Sequence, residues 1–271
     1  MDIYYFFGEL GYVHQVILAY TQRYVKNHPE KKGNIKLITY NGNEYFFESL
    51  FPGFFSFFLV PLHDCRSGFH GHVDLFFPGI PHISKMFDKQ LPASINQIPW
   101  GQDLREYYIE GPIPMPIYPE LDELCKGFNY IVVAFYRNRQ HEQLRNYDNS
   151  NTAWNNELAQ HASNQDTLFC VFNASKEESI VPSYVDTNAK NIRLIKTIQE
   201  ASYWFHTCDI AYMNDSGLCD FAKNCAIRRM KIIPSISQNV VYNPSIYFNP
   251  FNTQIEIFGE YTLHDPVTVK Q

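Results

Sequence analysis

The sequence lacks the signatures of several common nucleotide-using enzymes. It contains neither the Walker motif G-x-x-x-x-G-K-S/T nor the dinucleotide fingerprint G-x-G-x-x-G, and it has no G-x-S-x-G nucleophile elbow. The missing Walker motif argues against a kinase of the P-loop type. The missing fingerprint argues against a nicotinamide-dependent dehydrogenase.

Long apolar runs, a basic leader and paired cysteines are also missing. The most apolar stretch, 51–62, is shorter than the ~20 residues of a membrane span and contains two prolines. The N-terminus carries Asp2 and no basic segment, which is not typical of a signal peptide. Six cysteines include no C-x-x-C pair, which indicates reduced, mostly buried thiols. We therefore expect a cytoplasmic protein without a transmembrane segment.

Basic residues are too few for a protein that binds nucleic acid through its phosphates. Lys and Arg number 22 against 28 Asp and Glu, which gives a formal charge of −6. By contrast, 45% of the residues are hydrophobic and 16% are aromatic, so an intrinsically disordered chain is excluded. The high usage of Asn, Tyr, Phe and Ile indicates an AT-rich genome, such as that of a large virus.

The order of the elements predicts two similar α/β halves. An opening strand at 2–7, a helix from Val13 with 3.6-residue periodicity and a strand at 35–40 form a βαβ unit. After a proline-rich connector, 111–119, apolar strands and helices alternate again from 130 to 234. This pattern predicts two Rossmann-like domains that face a cleft.

The most informative motif in the second half is Asn214-Asp-Ser-Gly217, between a predicted strand and a helix that we expect to run through 227. Free N–H groups at a helix start can bind an anion such as a diphosphate. Ser216 would add a hydroxyl, and Gly217 would let a phosphate approach the backbone. Asn, Asp and Ser are also the usual capping residues, so an ordinary helix start is an equal alternative.

This motif resembles the C-terminal signature of the lipopolysaccharide heptosyltransferases and related glycosyltransferases of the GT-B fold. The match covers Asp215, Ser216, Gly217 and Ala222, whereas Asp220 stands where the family usually has His. In the family this loop and helix hold the nucleotide-sugar donor, so the resemblance implies donor-binding roles for the first three residues. Asp220 would then accept hydrogen bonds from ribose or sugar hydroxyls, or reflect a different sugar or base.

A second resemblance concerns the first strand-to-helix turn, Gly8-Glu-Leu-Gly11, which is similar to the turn that opens the acceptor domain of GT-B proteins. Heptosyltransferases carry an acidic general base at this turn, so Glu9 inherits that candidacy. An inverting transfer needs one carboxylate to accept the proton of the attacking hydroxyl. Glu9 could instead be an exposed turn residue or a carboxylate that the helix dipole favours.

Two arginines follow the first strand of the second half. Arg137 and Arg139 would lie at the carboxyl end of a parallel strand, where such sheets bind ligands, and their guanidinium groups suit a diphosphate leaving group. Relatives commonly have a basic residue in this loop. They also share a run that here consists of Asn151, Trp154, Leu158 and Ala159. A solvated basic loop is the alternative.

The remaining candidates are acceptor-side groups in the first half. Asp64, His70 and Asp74 could contact the acceptor or act as alternative bases, and His14 could face the cleft from the first helix. The spacing around His63 and His70 matches no zinc motif, so we expect no metal and no other cofactor. Gly8 and Gly11 complete the acceptor-side turn.

Together these features predict a GT-B protein with an acceptor domain at 1–118, a donor domain at 119–250 and a tail, 251–271, that crosses back to the first domain. The resemblance implies a metal-independent, inverting glycosyltransferase (a hexosyl- or pentosyltransferase). Its expected ligands are a nucleoside-diphosphate sugar, with UDP-sugars favoured, and a glycan hydroxyl. A non-catalytic nucleotide- or sugar-binding module and a pyruvyltransferase-like group transferase remain alternatives.

Overall fold

The computed structural model describes residues 1–7, 10–60, 78–87, 91, 104–135, 152–172, 181–214, 217–233, 240–241, 248–258 and 262–263. Within it the chain divides into two compact units, Met1–Pro114 and Met115–Gln271. Each unit contains its own parallel sheet.

The first unit is built on a three-stranded parallel sheet in the order β1-β2-β3. The strands are β1 (Asp2–Phe6), β2 (Ile35–Tyr40) and β3 (Phe55–Val60). Between β1 and β2 run α1 (Leu10–Tyr12), a π-helical segment (Val13–Ile17), α2 (Leu18–Asn27) and a 3₁₀ turn (Pro29–Lys31). Helix α3 (Asn43–Leu50) joins β2 to β3, and 3₁₀ turns follow at Ile83–Met86 and Leu104–Tyr107.

Aromatic rings fill the core of the first unit. Phe6, Phe46 and Phe47 have no solvent exposure, and Phe6 packs edge-on against Phe47 at a centroid distance of 6.4 Å. Phe55 of β3 meets Phe47 of α3 in the same way, at 5.7 Å. Such edge-to-face contacts add about 0.5–1.5 kcal/mol each beyond simple burial. Helix α3 is therefore fixed to the sheet by its aromatic face.

The second unit has a six-stranded parallel sheet in the order β10-β8-β7-β4-β5-β6, and a separate pair β11-β9. Its strands are β4 (Tyr130–Phe135), β5 (Thr167–Phe172), β6 (Ile192–Ile195), β7 (Ile210–Asn214), β8 (Arg229–Ile233), β9 (Val240–Val241), β10 (Gln254–Ile257) and β11 (Thr262–Leu263). Its helices are α4 (Pro119–Cys125), α5 (Thr152–Ser163), α6 (Ile198–Thr207) and α7 (Gly217–Asn224).

The central strands of this sheet are almost free of polar residues. Every residue of β5 and β7 is buried, as expected for parallel strands covered on both faces. Trp154 and Leu158 of α5 pack with Val132, Phe169 and other sheet residues into one apolar cluster. The fold of the second unit thus rests on its apolar strands.

The first part of the tail lies in the second unit. The tail from 251 onwards was expected to cross back to the first domain, but residues 254–257 form β10, which pairs in parallel with β8. Gln254 lies opposite Arg229 and Ile257 opposite Ile232. Ladder hydrogen bonds with an exposed sheet edge keep this part of the tail in the second unit. Residues 264–271 lie outside the described part of the chain.

Candidate functional site

The strand order of the second sheet contains a switch point between β4 and β7. From β4 the chain proceeds to β5 and β6 on one side, and then returns to form β7, β8 and β10 on the other. Phe135 and Met213, near the carboxyl ends of the two strands, are paired in register. Open α/β sheets bind ligands in the crevice outside the carboxyl ends of the strands at such a point.

Both strands that precede predicted donor-binding residues end at this switch point. Arg137 and Arg139 follow β4 in the chain by two and four residues, and Asp215 and Ser216 lie between β7 and α7. These four residues are outside the described part of the chain. Gly217 is described and is the first residue of α7. The carboxyl ends of the two strands that precede these segments in the chain are therefore adjacent.

The end of β7 carries a buried amide. Asn214 is 1% exposed, and its Nδ2 has no hydrogen-bond partner among the residues that the structure describes. Its backbone carbonyl accepts a hydrogen bond from the thiol of Cys219 at 3.1 Å, which ties the first turn of α7 to the strand. A buried donor without a partner is rare, because its desolvation costs about 1–3 kcal/mol.

Asp220 occupies a different environment from the one predicted. Its Oδ1 lies 2.8 Å from Nζ of Lys223, one turn later in α7, and the two side chains are 2% and 0% exposed. The Lys223 ammonium also lies over the ring of Phe248, 5.4 Å from its centroid. The carboxylate is thus engaged in a buried ion pair. Direct contact with a sugar hydroxyl stays a prediction for this residue.

The sheet of the first unit has the same kind of switch point. β2 pairs with one side of β1, and Tyr5 forms a parallel bridge with His82 on the other side. The Tyr5 amide donates to the carbonyl of Pro81 at 3.0 Å. Gly8 and Glu9, which are not among the described residues, connect β1 to α1, so the predicted base follows the strand at the switch point.

His14 lies in the core of the first unit. Its ring is fully buried in the π-helical segment and packs edge-on against Phe46 of α3 at 4.4 Å. Burial lowers the pKa of this imidazole to about 3, so it is neutral at physiological pH. The expectation that His14 faces a cleft is therefore wrong for this conformation. Gly11, expected in a turn, is a helical residue of α1.

The other acceptor-side candidates, Asp64, His70 and Asp74, lie outside the described residues. Among the residues that are described, no group of three or more His, Cys, Asp or Glu side chains could hold a metal ion. Five of the six cysteines are described, all as free thiols, and four of them are buried. Burial raises the pKa of the Cys225 thiol to about 12, which makes it a poor nucleophile.

Sequence reasoning missed a polar network on the α5 side of the second sheet. Lys231 of β8 contacts both carboxylate oxygens of Glu157 at 2.8 Å and Oε1 of Glu256 at 3.1 Å. The Tyr212 hydroxyl donates to Glu157 at 2.7 Å and lies 3.0 Å from Nε2 of His161. Tyr212 and Glu256 lie opposite Lys231 on the two neighbouring strands, and this strand register could have revealed the network.

The contacts within this network change the pKa values of Glu157 and His161. Burial acts to raise the pKa of Glu157, but hydrogen bonds from Lys231 and Tyr212 outweigh it and lower the pKa. Burial lowers the pKa of His161, against the opposing attraction of Glu157. The ion pair therefore stays formed at neutral pH. It lies at the middle of β7 and β8, away from their carboxyl ends, which favours a structural role.

No helix in the described ranges is both long and apolar enough to cross a membrane.

The solved structures that resemble the chain over most of its length include two glycosyltransferases with TM-scores above 0.5. One is ADP-heptose LPS heptosyltransferase II from E. coli, with 14% identity and a TM-score of 0.54, covering 100% of this chain and 95% of that chain. The other is a glycosyl transferase family 9 structure from Veillonella parvula, with 11% identity and a TM-score of 0.53, covering 94% and 84%. No protein-family model and no curated protein sequence matches the chain. The likeness confirms the predicted α/β class and the GT-B fold of the heptosyltransferase-like group.

Proposed function

We propose that the protein is a glycosyltransferase that moves a sugar from a nucleoside-diphosphate sugar to a hydroxyl of a glycan. The observation that supports the proposal is the switch point between β4 and β7, two adjacent parallel strands whose carboxyl ends precede the Arg137–Arg139 segment and α7 in the chain. Diphosphate recognition needs cationic forks and free N–H groups at one place. The two segments supply both.

The donor diphosphate would bind at the start of α7. Gly217, the first helical residue, lets a phosphate approach the backbone, and Ser216 adds a hydroxyl donor. The Asn214 Nδ2, for which the described residues offer no hydrogen-bond partner, supports a polar ligand at the end of β7. Arg137, Arg139 or both would contact the phosphates from the β4 side. Asp215 would orient the loop or the sugar.

The reaction would be a single displacement with inversion. The acceptor hydroxyl forms a bond with the anomeric carbon while the bond from that carbon to the diphosphate breaks. Glu9 takes the hydroxyl proton, and the arginines and the helix start stabilise the negative charge on the leaving nucleotide. Gly8 and Gly11 flank the base, and Asp64, His70 and Asp74 would contact the acceptor. In this proposal no metal takes part.

The nucleotide is identified by a thermal-shift panel with UDP, ADP, GDP and CMP and their sugars, ADP-heptose included. A ligand bound only by the folded state at 100 times its Kd adds about 2.7 kcal/mol. We expect one nucleotide to stabilise the protein well above the others. Arg137→Ala with Arg139→Ala should remove that shift. A flat panel at millimolar ligand would contradict the donor site and favour a transferase with a non-nucleotide donor.

Catalysis is separated from binding by Glu9→Gln, with exposed Glu30→Gln as the matched control. Loss of a general base lowers turnover by about 10²–10⁴-fold. We expect that loss with nucleotide affinity kept, while the control keeps full turnover. A protein that binds the nucleotide sugar and turns over no acceptor, with or without Glu9, would instead be a non-catalytic binding module.

A further inference from the structure

The buried ion pair in α7 lies close to the proposed diphosphate site and has no part in the proposed chemistry. Asp220 is in the first turn of this eight-residue helix and Lys223 in its last turn. Their charged atoms are 2.8 Å apart and essentially inaccessible to water. By helix geometry Asp220 is only about 4.5 Å along the axis from Gly217, where the phosphates would approach.

An unpaired carboxylate at this position would oppose the proposed ligand. The start of α7 attracts anions through its free N–H groups, and a nearby negative charge weakens that attraction. The surroundings make the effect stronger, because Leu218 to Asn224 are all buried and charges interact over longer distances where water is excluded. Asp220 alone would therefore lower the affinity for a diphosphate.

Lys223 is held where it cancels this charge. Helical side chains tilt towards the N-terminus, so the ammonium reaches back from the last turn to Asp220. Phe248, itself 1% exposed, lies against the ammonium. Phe248 directly precedes a turn that two hydrogen bonds close. The Asn249 side chain accepts one from the Thr253 amide at 2.9 Å and donates one to the Thr253 carbonyl at 3.0 Å.

We propose that Lys223 is a positioning residue that neutralises Asp220 and so allows the start of α7 to bind the donor diphosphate. The inference rests on the proposed function and deepens it. It also replaces the earlier role of Asp220, because a carboxylate in this pair does not need to contact the sugar. The effect scales with the charge of the ligand, so an uncharged nucleoside should be insensitive to it.

The test measures the affinity for a nucleoside and for its mono- and diphosphate at pH 7.5, using the base found in the panel. Lys223→Met should weaken diphosphate binding at least about fivefold and leave nucleoside binding within about twofold. Asp220→Asn should tighten diphosphate binding, because the Lys223 charge is then no longer cancelled. The double variant should return to within about twofold of the wild type. Lys126→Met, at an exposed position, is the control for net charge.

Several results would overturn the inference. Weaker binding in Asp220→Asn would mean that the carboxylate contacts the ligand, and equal losses for nucleoside and diphosphate in Lys223→Met would mean general damage to the helix. If Lys223→Met does not fold, the diphosphate affinities of Asp220→Asn and of the double variant test the inference by themselves. A wild-type protein that binds no nucleotide removes the proposed function and this inference together. Normal wild-type binding with no charge-dependent change removes the inference only.

Discussion

Two lysines of the second unit are both paired with carboxylates, yet their surroundings differ: the Lys231 side chain is 12% exposed, whereas that of Lys223 is fully buried. Lys231 connects three elements that are distant in sequence: its own strand β8, Glu157 of α5 and Glu256 of β10. Its ammonium also lies over the rings of Tyr212 and Phe258, at 5.8 and 5.2 Å. The Lys231 network therefore holds a helix and two strands together.

The Lys223 ion pair lies within a single helix, although its ammonium also lies over the ring of Phe248. Its carboxylate partner, Asp220, is on the same helix three residues earlier, and both charges are fully desolvated. Burying an ion pair is costly, and well-packed apolar residues of similar volume often stabilise a protein as much or more. A local pair at a helix that starts at a proposed anion site is better explained by the charge of that site. The comparison teaches that two ion pairs in one unit can differ in whether they connect separate elements or lie within a single helix.

The largest loss of stability that we expect comes from removing the Lys231 cation, and it tests whether this lysine is the structural one of the two. Lys231→Met leaves Glu157 partly buried without its main partner, so we expect the free energy of unfolding to fall by about 2–4 kcal/mol, measured by urea denaturation. Nucleotide affinity of the folded protein should not change. Glu256→Gln, at a position that is 57% exposed, should cost less than about 1 kcal/mol. Equal losses for the two variants would contradict the account.

A buried group that stays neutral sharpens the contrast with both lysines. The pKa of His14 is about 3 in the folded protein and about 6.5 when unfolded, so the unfolded state binds the proton more tightly. The neutral His14 therefore contributes to the free energy of unfolding above pH 6.5, and this contribution is lost as the pH falls from 6.5 towards 3. About 2 kcal/mol is lost by pH 5.

The measurement is the unfolding free energy of the first unit between pH 7 and pH 5, with His14→Gln for comparison. The variant should be less stable at pH 7 and should lose less stability on acidification. An identical pH slope in both proteins would show that His14 does not titrate in this way.

Glu157→Gln tests the same network by removing the carboxylate partner of Lys231. Because the folded-state pKa of Glu157 is lowered, its contribution is present above the unfolded value near 4.3 and is lost as the pH falls through the folded value. We expect the variant to be about 1–2 kcal/mol less stable than the wild type at pH 7. The difference should shrink below pH 4. A difference that grows in acid would contradict the lowered pKa.

The smallest expected effect lies at the end of α7. Ala226 has a φ of 55°, and hydrogen bonds from Ala226 N to Lys223 O (2.9 Å) and from Ile227 N to Ala222 O (3.3 Å) close the helix there. Glycine favours this conformation, so Ala226→Gly should stabilise the protein by about 0.5–1 kcal/mol in thermal or urea unfolding. Affinity for the diphosphate should be unaffected, since the ion pair is untouched. Destabilisation would mean that the methyl group makes contacts worth more than the backbone strain.

Most strands could be predicted from the sequence. The strand at 35–40 has the predicted bounds, and five of its six residues are buried, as expected for a parallel strand covered on both faces. Two helices were missed. Helix α3 is rich in Phe and Tyr, which are weak helix formers, and it is fixed by its packing on β3. Helix α4 was missed because its first residue, Pro119, is also the last residue of the proline-rich connector. Proline is nevertheless favourable at the first position of a helix.

The site residues that could not be predicted are those set by distant partners. His14 was expected to face a cleft because the helix that buries it, α3, was itself missed. Lys223 looks like an ordinary solvated residue at a helix end, and its burial depends on Phe248, 25 positions further along the chain. The motifs at Gly8–Glu9 and Asp215–Gly217 could be recognised because a glycine or capping residue between a strand and a helix is a local signal.

Hydrogen exchange with and without the nucleoside diphosphate selected by the panel tests the central claim most directly, because it reports where the ligand binds. The account predicts slower exchange in peptides that cover the ends of β4 and β7, residues 134–140 and 213–220, and little change at Lys231. Binding with protection confined to other segments, or protection at neither strand end under saturating ligand, would contradict a donor site at this switch point.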